Sequence, residues 1–266
     1  MSKPSIILVT GSFSTPEYYA DVVNAVAAQG FEIKAIHMPS VGPSSGKGRE
    51  GVLPTMYDDA SFIAQEVGKL ADQGKHVVLV AHSYGGVPAT QSVKGLPATE
   101  RQKQGKSGGL VRLAYMSCLV PAVGATAASV LGQAPPDQTI DIRVDETGWM
   151  YQGNPAATAG IIVQNIPLER GEALVRSMPK HSSASFGSEL TYPGYKDVPV
   201  SYLLCEEDRC IPPEVQKEGI DIIEKASGNK VDVTSIKADH CPMESSKQEV
   251  IDWLVSVAER AMADAA

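Results

Sequence analysis

The chain has 266 residues, 43% hydrophobic and 20% charged, with a formal net charge of −8 at pH 7. That length can bury one sizeable core without requiring a second domain, and the acidic balance argues against nucleic acid or an anionic membrane as partner. Four cysteines (Cys118, Cys205, Cys210, Cys241) are too sparse and irregular for a disulfide scaffold or a zinc pattern.

No apolar run approaches the length of a membrane span, and the first apolar segment reads as a strand rather than a leader. A cytoplasmic location is therefore the expectation. Residues 5–10 form a short buried-strand run that breaks at Gly11-Ser12-Phe13-Ser14. Ser14 or Thr15 is placed to cap a helix to about Gly30, with Pro16 in its first turn and Val22, Val23, Val26 and Ala27 as its apolar stripe. Residues 31–36 alternate as a second strand. The Gly/Pro/Ser-rich stretch 39–56 reads as a long surface loop. Asp58 and Asp59 open a helix in which Phe62, Ile63, Val67 and Leu70 recur at helical spacing, closed by Gly74.

The segment His76-Val77-Val78-Leu79-Val80-Ala81-His82-Ser83-Tyr84-Gly85-Gly86 organises the chain. Its β-branched and aliphatic run reads as a strand buried on both faces. It then turns at small residues into a helix with Pro88 in the first turn. A serine at such a junction, with Ala81 and Gly85 two residues to either side, is the nucleophile-elbow pattern. The turn is tight enough that bulk at those two positions would clash. The Ser83 hydroxyl is thereby presented at the carboxyl edge of the sheet, in front of the N–H groups of the following helix.

Residues 95–109 read as a polar, solvated connection in spite of Arg101, Lys103 and Lys106. Residues 110–118 make the next strand. From about 121 to 196 the strand–helix alternation stops, which predicts a cap inserted over the serine, with Trp149, Tyr151, His181 and Tyr192 as candidate substrate-binding residues. The core resumes with a strand over 198–205, a helix from Pro213 to about Ala226, a strand over 231–236 and a terminal helix over 249–262. Repeating strand–helix order predicts a single α/β domain with a mostly parallel sheet and helices on both faces. Its ligand site then lies at the carboxyl ends of the strands.

Four loops at that edge carry what acyl transfer requires. A serine hydroxyl needs a general base. Of the five histidines, at 37, 76, 82, 181 and 240, His240 follows the last strand and can reach over the sheet. The base needs a carboxylate to fix its tautomer; Asp208 is favoured, with Glu206, Glu207 and Asp239 as alternatives. Two backbone donors for the oxyanion are expected at Tyr84 N–H and Ser12 N–H, with Gly11 and Phe13 lining the substrate beside them. Cys118 and Cys205 read as buried thiols, and Cys241, beside His240, as an alternative nucleophile or ligand.

These segments resemble the α/β-hydrolases over nearly the full length. The branch containing plant methyl esterases and hydroxynitrile lyases is similar in particular. The resemblance rests on Val9-Thr10-Gly11-Ser12-Phe13, Ala81-His82-Ser83-Tyr84-Gly85-Gly86, Leu204-Cys205-Glu206-Glu207-Asp208-Arg209-Cys210-Ile211-Pro212-Pro213 and Ala238-Asp239-His240-Cys241-Pro242-Met243. The usual His-Gly of the oxyanion loop is Thr10-Gly11 here, and the first elbow glycine is Ala81. Lyases of that branch typically carry threonine at the Gly11 position and lysine after the base, where this chain has Cys241. The resemblance thus implies an ester or lactone hydrolase with a small-molecule substrate and no metal or organic cofactor. Lyase or C–C bond chemistry on the same triad, or ligand binding without turnover, are the alternatives. The expected protein partner is a second copy of the chain, as a homodimer.

Overall fold

The computed structural model describes residues 3–133, 135 and 139–264. Six strands form the central sheet: β1 (Ser5–Val9), β2 (Ile33–Ile36), β4 (His76–His82), β5 (Gly109–Met116), β9 (Val200–Cys205) and β10 (Asp232–Ile236). Their order is β10-β9-β5-β4-β1-β2, and every neighbouring pair is parallel. β4 therefore sits near the middle, as its uninterrupted aliphatic run demands.

Alternation along the strands builds two cores. Ile6, Leu8, Val78 and Val80 face α1 (Ala20–Ala28) and α11 (Lys247–Asp264). Ile7, Val9, Val77 and Leu79 face α2 (Met56–Ala71), α3 (Gly86–Ser92) and α9 (Pro213–Ser227). Each fully buried Val, Leu or Ile contributes about 1.5–3 kcal/mol, so β4 anchors both layers.

Thr55 and Asp58 cap α2 reciprocally: the Thr55 side chain accepts from Asp58 N–H and the Asp58 carboxylate from Thr55 N–H. The helix expected after residue 14 begins differently. Ser14 donates its hydroxyl to the Ser12 carbonyl and Thr15 makes no side-chain cap bond, so Pro16–Tyr19 form a 3₁₀ turn before α1.

A second, antiparallel sheet has the order β3-β8-β7-β6, comprising β3 (Val41–Ser45), β6 (Ile142–Val144), β7 (Trp149–Gln152) and β8 (Pro179–Ser182). Part of the stretch read as a surface loop, 39–56, is therefore a strand. Val41 pairs with His181 and Ser45 with Pro179, partners that local composition cannot reveal. The segment between β5 and β9 also carries α5 (Ala127–Leu131), α6 (Pro155–Ile162), α7 (Leu168–Arg176) and α8 (Ser183–Phe186). Residues 134 and 136–138 of the expected insertion lie outside the described residues. The polar connection at 95–109 contains a short helix, α4 (Ala98–Lys103). Its Arg101 is buried, with the guanidinium on Asp72 at 2.7 Å and the Gly108 carbonyl at 3.1 Å. A further short helix, α10 (Pro242–Ser245), follows the last loop. Among the described residues no helix is long and apolar enough to cross a membrane.

Candidate active site

Ser83 stands between β4 and a 3₁₀ turn, Ser83–Gly85, that leads into α3. Its φ is +55°, a left-handed conformation that costs a non-glycine residue energy and persists only where the surroundings enforce it. The enforcement is steric. A Cβ on Gly85 would lie 2.6 Å from the Thr10 carbonyl oxygen, and one on Gly86 would lie 2.7 Å from that of Leu119. Only glycine lets the elbow pack this closely on the end of β1.

The side chain that meets Ser83 is His240, in the loop between β10 and α10. Its Nε2 is 2.9 Å from Ser83 Oγ, and its Nδ1 is 2.8 Å from Asp208 Oδ2. All three residues are buried. The other oxygen, Asp208 Oδ1, accepts the N–H groups of Cys210 and Ile211, each at 2.8 Å. The carboxylate is thus held by its own turn before it touches the imidazole.

Glu206 and Glu207 are exposed. Asp239 is buried but points elsewhere, accepting from Asn165 N–H, Cys241 N–H and the Ser245 hydroxyl. Burial pulls His240 downwards, but the charge and hydrogen bond of Asp208, together with those of Cys210, outweigh it and hold the imidazole well above 6.5.

His82 is turned away from the nucleophile. Its Nε2 donates to the His240 carbonyl at 2.8 Å, and its Nδ1 accepts from the Tyr19 hydroxyl at 2.7 Å. Burial pushes it down to about 3, so it stays neutral beside His240. Tyr19 in turn accepts the Gly11 N–H at 2.9 Å. Phe13 N–H goes to His181 Nδ1 at 3.3 Å. Between them, the Ser12 N–H has no acceptor among the described residues, and Ser12 and Tyr84 line the same cleft as Ser83.

The cleft above Ser83 is a narrow cavity of about 40 Å³. Gly11, Ser12, Phe13 and Tyr84 line it from the sheet side; Leu131, Ile142, Ile162, Met178 and Phe186 line it from the insertion. Among the described residues no Lys, Arg, Asp or Glu lines it, and Gln152 is the one amide.

Four of the expected substrate-binding residues are elsewhere. Along β7 alternate side chains take opposite faces. Gln152, paired with Ile142, faces the cleft, whereas Trp149 packs on Gly48 and Tyr151 is half out in solvent near Lys180. Tyr192 donates to Asp197 and packs with the α9 side of the core. His181 is fully buried behind Phe13 rather than in the cleft. Conversely Gln152, Met178 and Cys210 line the cleft, although nothing in the sequence marked them as substrate-binding. Strand alternation around Trp149-Met150-Tyr151-Gln152 was the available signal. Cys241 also lines it, but burial raises its thiol well above the ordinary range, which leaves almost no thiolate to attack. Among the described residues no three His, Cys, Asp or Glu side chains gather as a metal site.

The alpha/beta hydrolase family model matches residues 6–253. The chain belongs to that family. It is 31% identical over 260 residues to the "Probable hydrolase R7" of Phoma sp., spanning 97% of this chain and 99% of that one. To Methylesterase 9 of Arabidopsis thaliana it is 26% identical over 220 residues, 78% and 80% of the two chains. Among solved structures, a pyrethroid hydrolase from Sphingobium faniae superposes with a TM-score of 0.75 at 19% identity, covering 97% of this chain and 98% of that one. Polyneuridine aldehyde esterase gives 0.70 at 18%, covering 97% and 100%. At such identities the superpositions establish the α/β-hydrolase fold, with its mostly parallel central sheet. The chain is a hydrolase of this family with esterase-type neighbours, consistent with the methylesterase branch.

Proposed function

We propose that this protein is a serine-dependent carboxylic ester hydrolase acting on a small, neutral, largely apolar ester or lactone through an acyl-enzyme. The observation that carries the reading is the unbroken relay from Ser83 Oγ through His240 to Asp208, at 2.9 and 2.8 Å.

In the forward step His240 Nε2 takes the Ser83 proton as Oγ attacks the carbonyl carbon. Negative charge develops on the carbonyl oxygen, and the Ser12 and Tyr84 N–H groups receive it. One such donor is worth roughly 3–4 kcal/mol of transition-state stabilisation. Asp208 stabilises the imidazolium, which then protonates the departing alkoxide. Water enters, His240 removes its proton, and collapse of the second tetrahedral species releases the acid and restores Ser83.

The cleft supports the proposed substrate class. A wall of Leu, Ile, Met and Phe, which no Lys or Arg joins among the described residues, offers little to a carboxylate or phosphate. Esters also figure in the names of Methylesterase 9 and polyneuridine aldehyde esterase. Lyase chemistry is disfavoured because Cys241 follows the base where an ammonium would assist a leaving cyanide. A Cβ at Gly11 would also sit 2.9 Å from His82 Nδ1, leaving no room there for threonine.

The test is a fluorophosphonate probe. Labelling that vanishes in Ser83→Ala, together with hydrolysis of p-nitrophenyl esters, is the expected result. A folded wild-type protein that neither labels nor hydrolyses would be a binder.

A further inference from the structure

The oxyanion loop is held in a strained shape, and the group that holds it does not come from the core. Phe13 has φ +57°, and its backbone is buried. A bulky residue in this conformation needs surroundings that fix it, and a buried N–H needs an acceptor. Both needs meet in His181, whose Nδ1 accepts the Phe13 N–H at 3.3 Å. His181 belongs to β8, 168 residues further along the chain, in the antiparallel sheet of the insertion.

The other side of the ring fixes its tautomer. His181 Nε2 donates to Ser185 Oγ at 2.9 Å, and that hydroxyl donates to the Ser182 carbonyl at 2.8 Å. Nδ1 is therefore the unprotonated nitrogen, as an acceptor for Phe13 must be. Tyr84, Phe186 and Phe13 surround the ring with centroids 4.7, 5.3 and 5.5 Å away. Burial pushes the imidazole down to about 3, so it remains neutral wherever the enzyme can work.

We infer that His181 is a positioning residue. By accepting the Phe13 N–H it locks the Ser12–Phe13 peptide so that the Ser12 N–H faces the oxyanion, tying transition-state stabilisation to the second sheet. The inference rests on the ester-hydrolase reading. It goes beyond that reading by assigning a role to a residue that touches neither substrate nor triad.

The test compares four substitutions. H181F keeps a ring of similar size but has no acceptor. H181N places its carbonyl oxygen where Nδ1 was, and H181Q places it nearer the Nε2 position. H181A removes both ring and acceptor. Displacing a donor by about 1 Å costs on the order of 100-fold. H181F, H181Q and H181A should therefore lose about that factor in kcat on p-nitrophenyl esters, with KM changed less than about threefold. H181N should recover most of the loss. Affinity for a trifluoromethyl ketone, which forms an oxyanion on Ser83, should fall in step with kcat.

A merely structural role gives the opposite order, with H181F active and H181N damaged, and that order overturns the inference. If H181F does not fold, H181N against H181Q carries the same comparison, and equal activity in those two overturns it likewise. A wild type that takes no fluorophosphonate sinks the ester-hydrolase reading and this inference together. A wild type that labels fully, beside an H181N as impaired as H181F, sinks this inference alone.

Discussion

Replacing Asp208 with asparagine should disable the enzyme through a tautomer, and the structure says which way the amide will sit. Oδ1 of Asp208 accepts two backbone N–H groups, from Cys210 and Ile211, whereas Oδ2 accepts only from His240 Nδ1. The asparagine carbonyl oxygen takes the Oδ1 place, because an NH₂ group there would face two donors. Its NH₂ then points at His240 Nδ1 and forces that nitrogen to accept. The imidazole proton moves to Nε2, which can no longer take the Ser83 proton. Recovering the working tautomer means flipping the amide and breaking two buried hydrogen bonds, at about 1–3 kcal/mol each. That is about 2–6 kcal/mol, or roughly 30- to 10⁴-fold in population at 1.4 kcal/mol per decade. The expected loss in kcat is thus about 10³-fold, with KM little changed and unfolding still cooperative. The pH profile supplies a second readout. His240 must be neutral to act, and Asp208 holds it above the ordinary imidazole value, so the acid limb of wild-type kcat/KM should lie above pH 6.5. Removing the charge should move that limb of the residual activity to lower pH. A loss smaller than tenfold, or an unmoved acid limb, would refute the reasoning.

Other substitutions probe the surroundings. Tyr19→Phe strips the Gly11 N–H of its acceptor and His82 Nδ1 of its donor, and should cost roughly 2–4 kcal/mol in urea unfolding. Gln152 keeps its carbonyl on the Thr158 hydroxyl, leaving its NH₂ for the cleft. Gln152→Leu should reduce, about tenfold in kcat/KM, the preference for esters with a distal hydrogen-bond acceptor over all-apolar ones. Asp59 is buried against Ser40 and Tyr84, and burial raises it to about 6 from an ordinary 3.8. A carboxyl raised on folding stabilises fully below its unfolded pKa and loses that contribution as pH rises to 6, up to about 3 kcal/mol. Asp59→Asn should therefore flatten the fall in stability between pH 4 and pH 6, measured by urea midpoints. Gly11→Thr should lower ester hydrolysis at least tenfold without creating cyanohydrin cleavage, because the new Cβ meets His82 and Ser83.

What could be read beforehand and what could not are separated by a physical distinction. Ser83, Asp208, His240 and Ser12 each follow a strand of one parallel sheet, and parallel strands deliver their carboxyl ends to the same edge. Their meeting is thus a consequence of topology, and topology is written in the strand–helix rhythm. Local sterics could be read too: Gly85 is small because the Thr10 carbonyl leaves no room for a Cβ. The cleft wall obeys neither rule. It hangs on the register of a short antiparallel sheet, set by pairings such as Val41 with His181, which join segments far apart in the chain. In such a sheet Met150 and Gln152 share one face while Trp149 and Tyr151 share the other. Trp149 and Tyr151 stand out in the sequence by aromatic character, yet the pleat, not hydrophobicity, decides which residue meets the cleft. A slip of one residue in the pairing of β7 would exchange Gln152 for Tyr151 at the wall, and no count of apolar residues in the insertion can sense that difference.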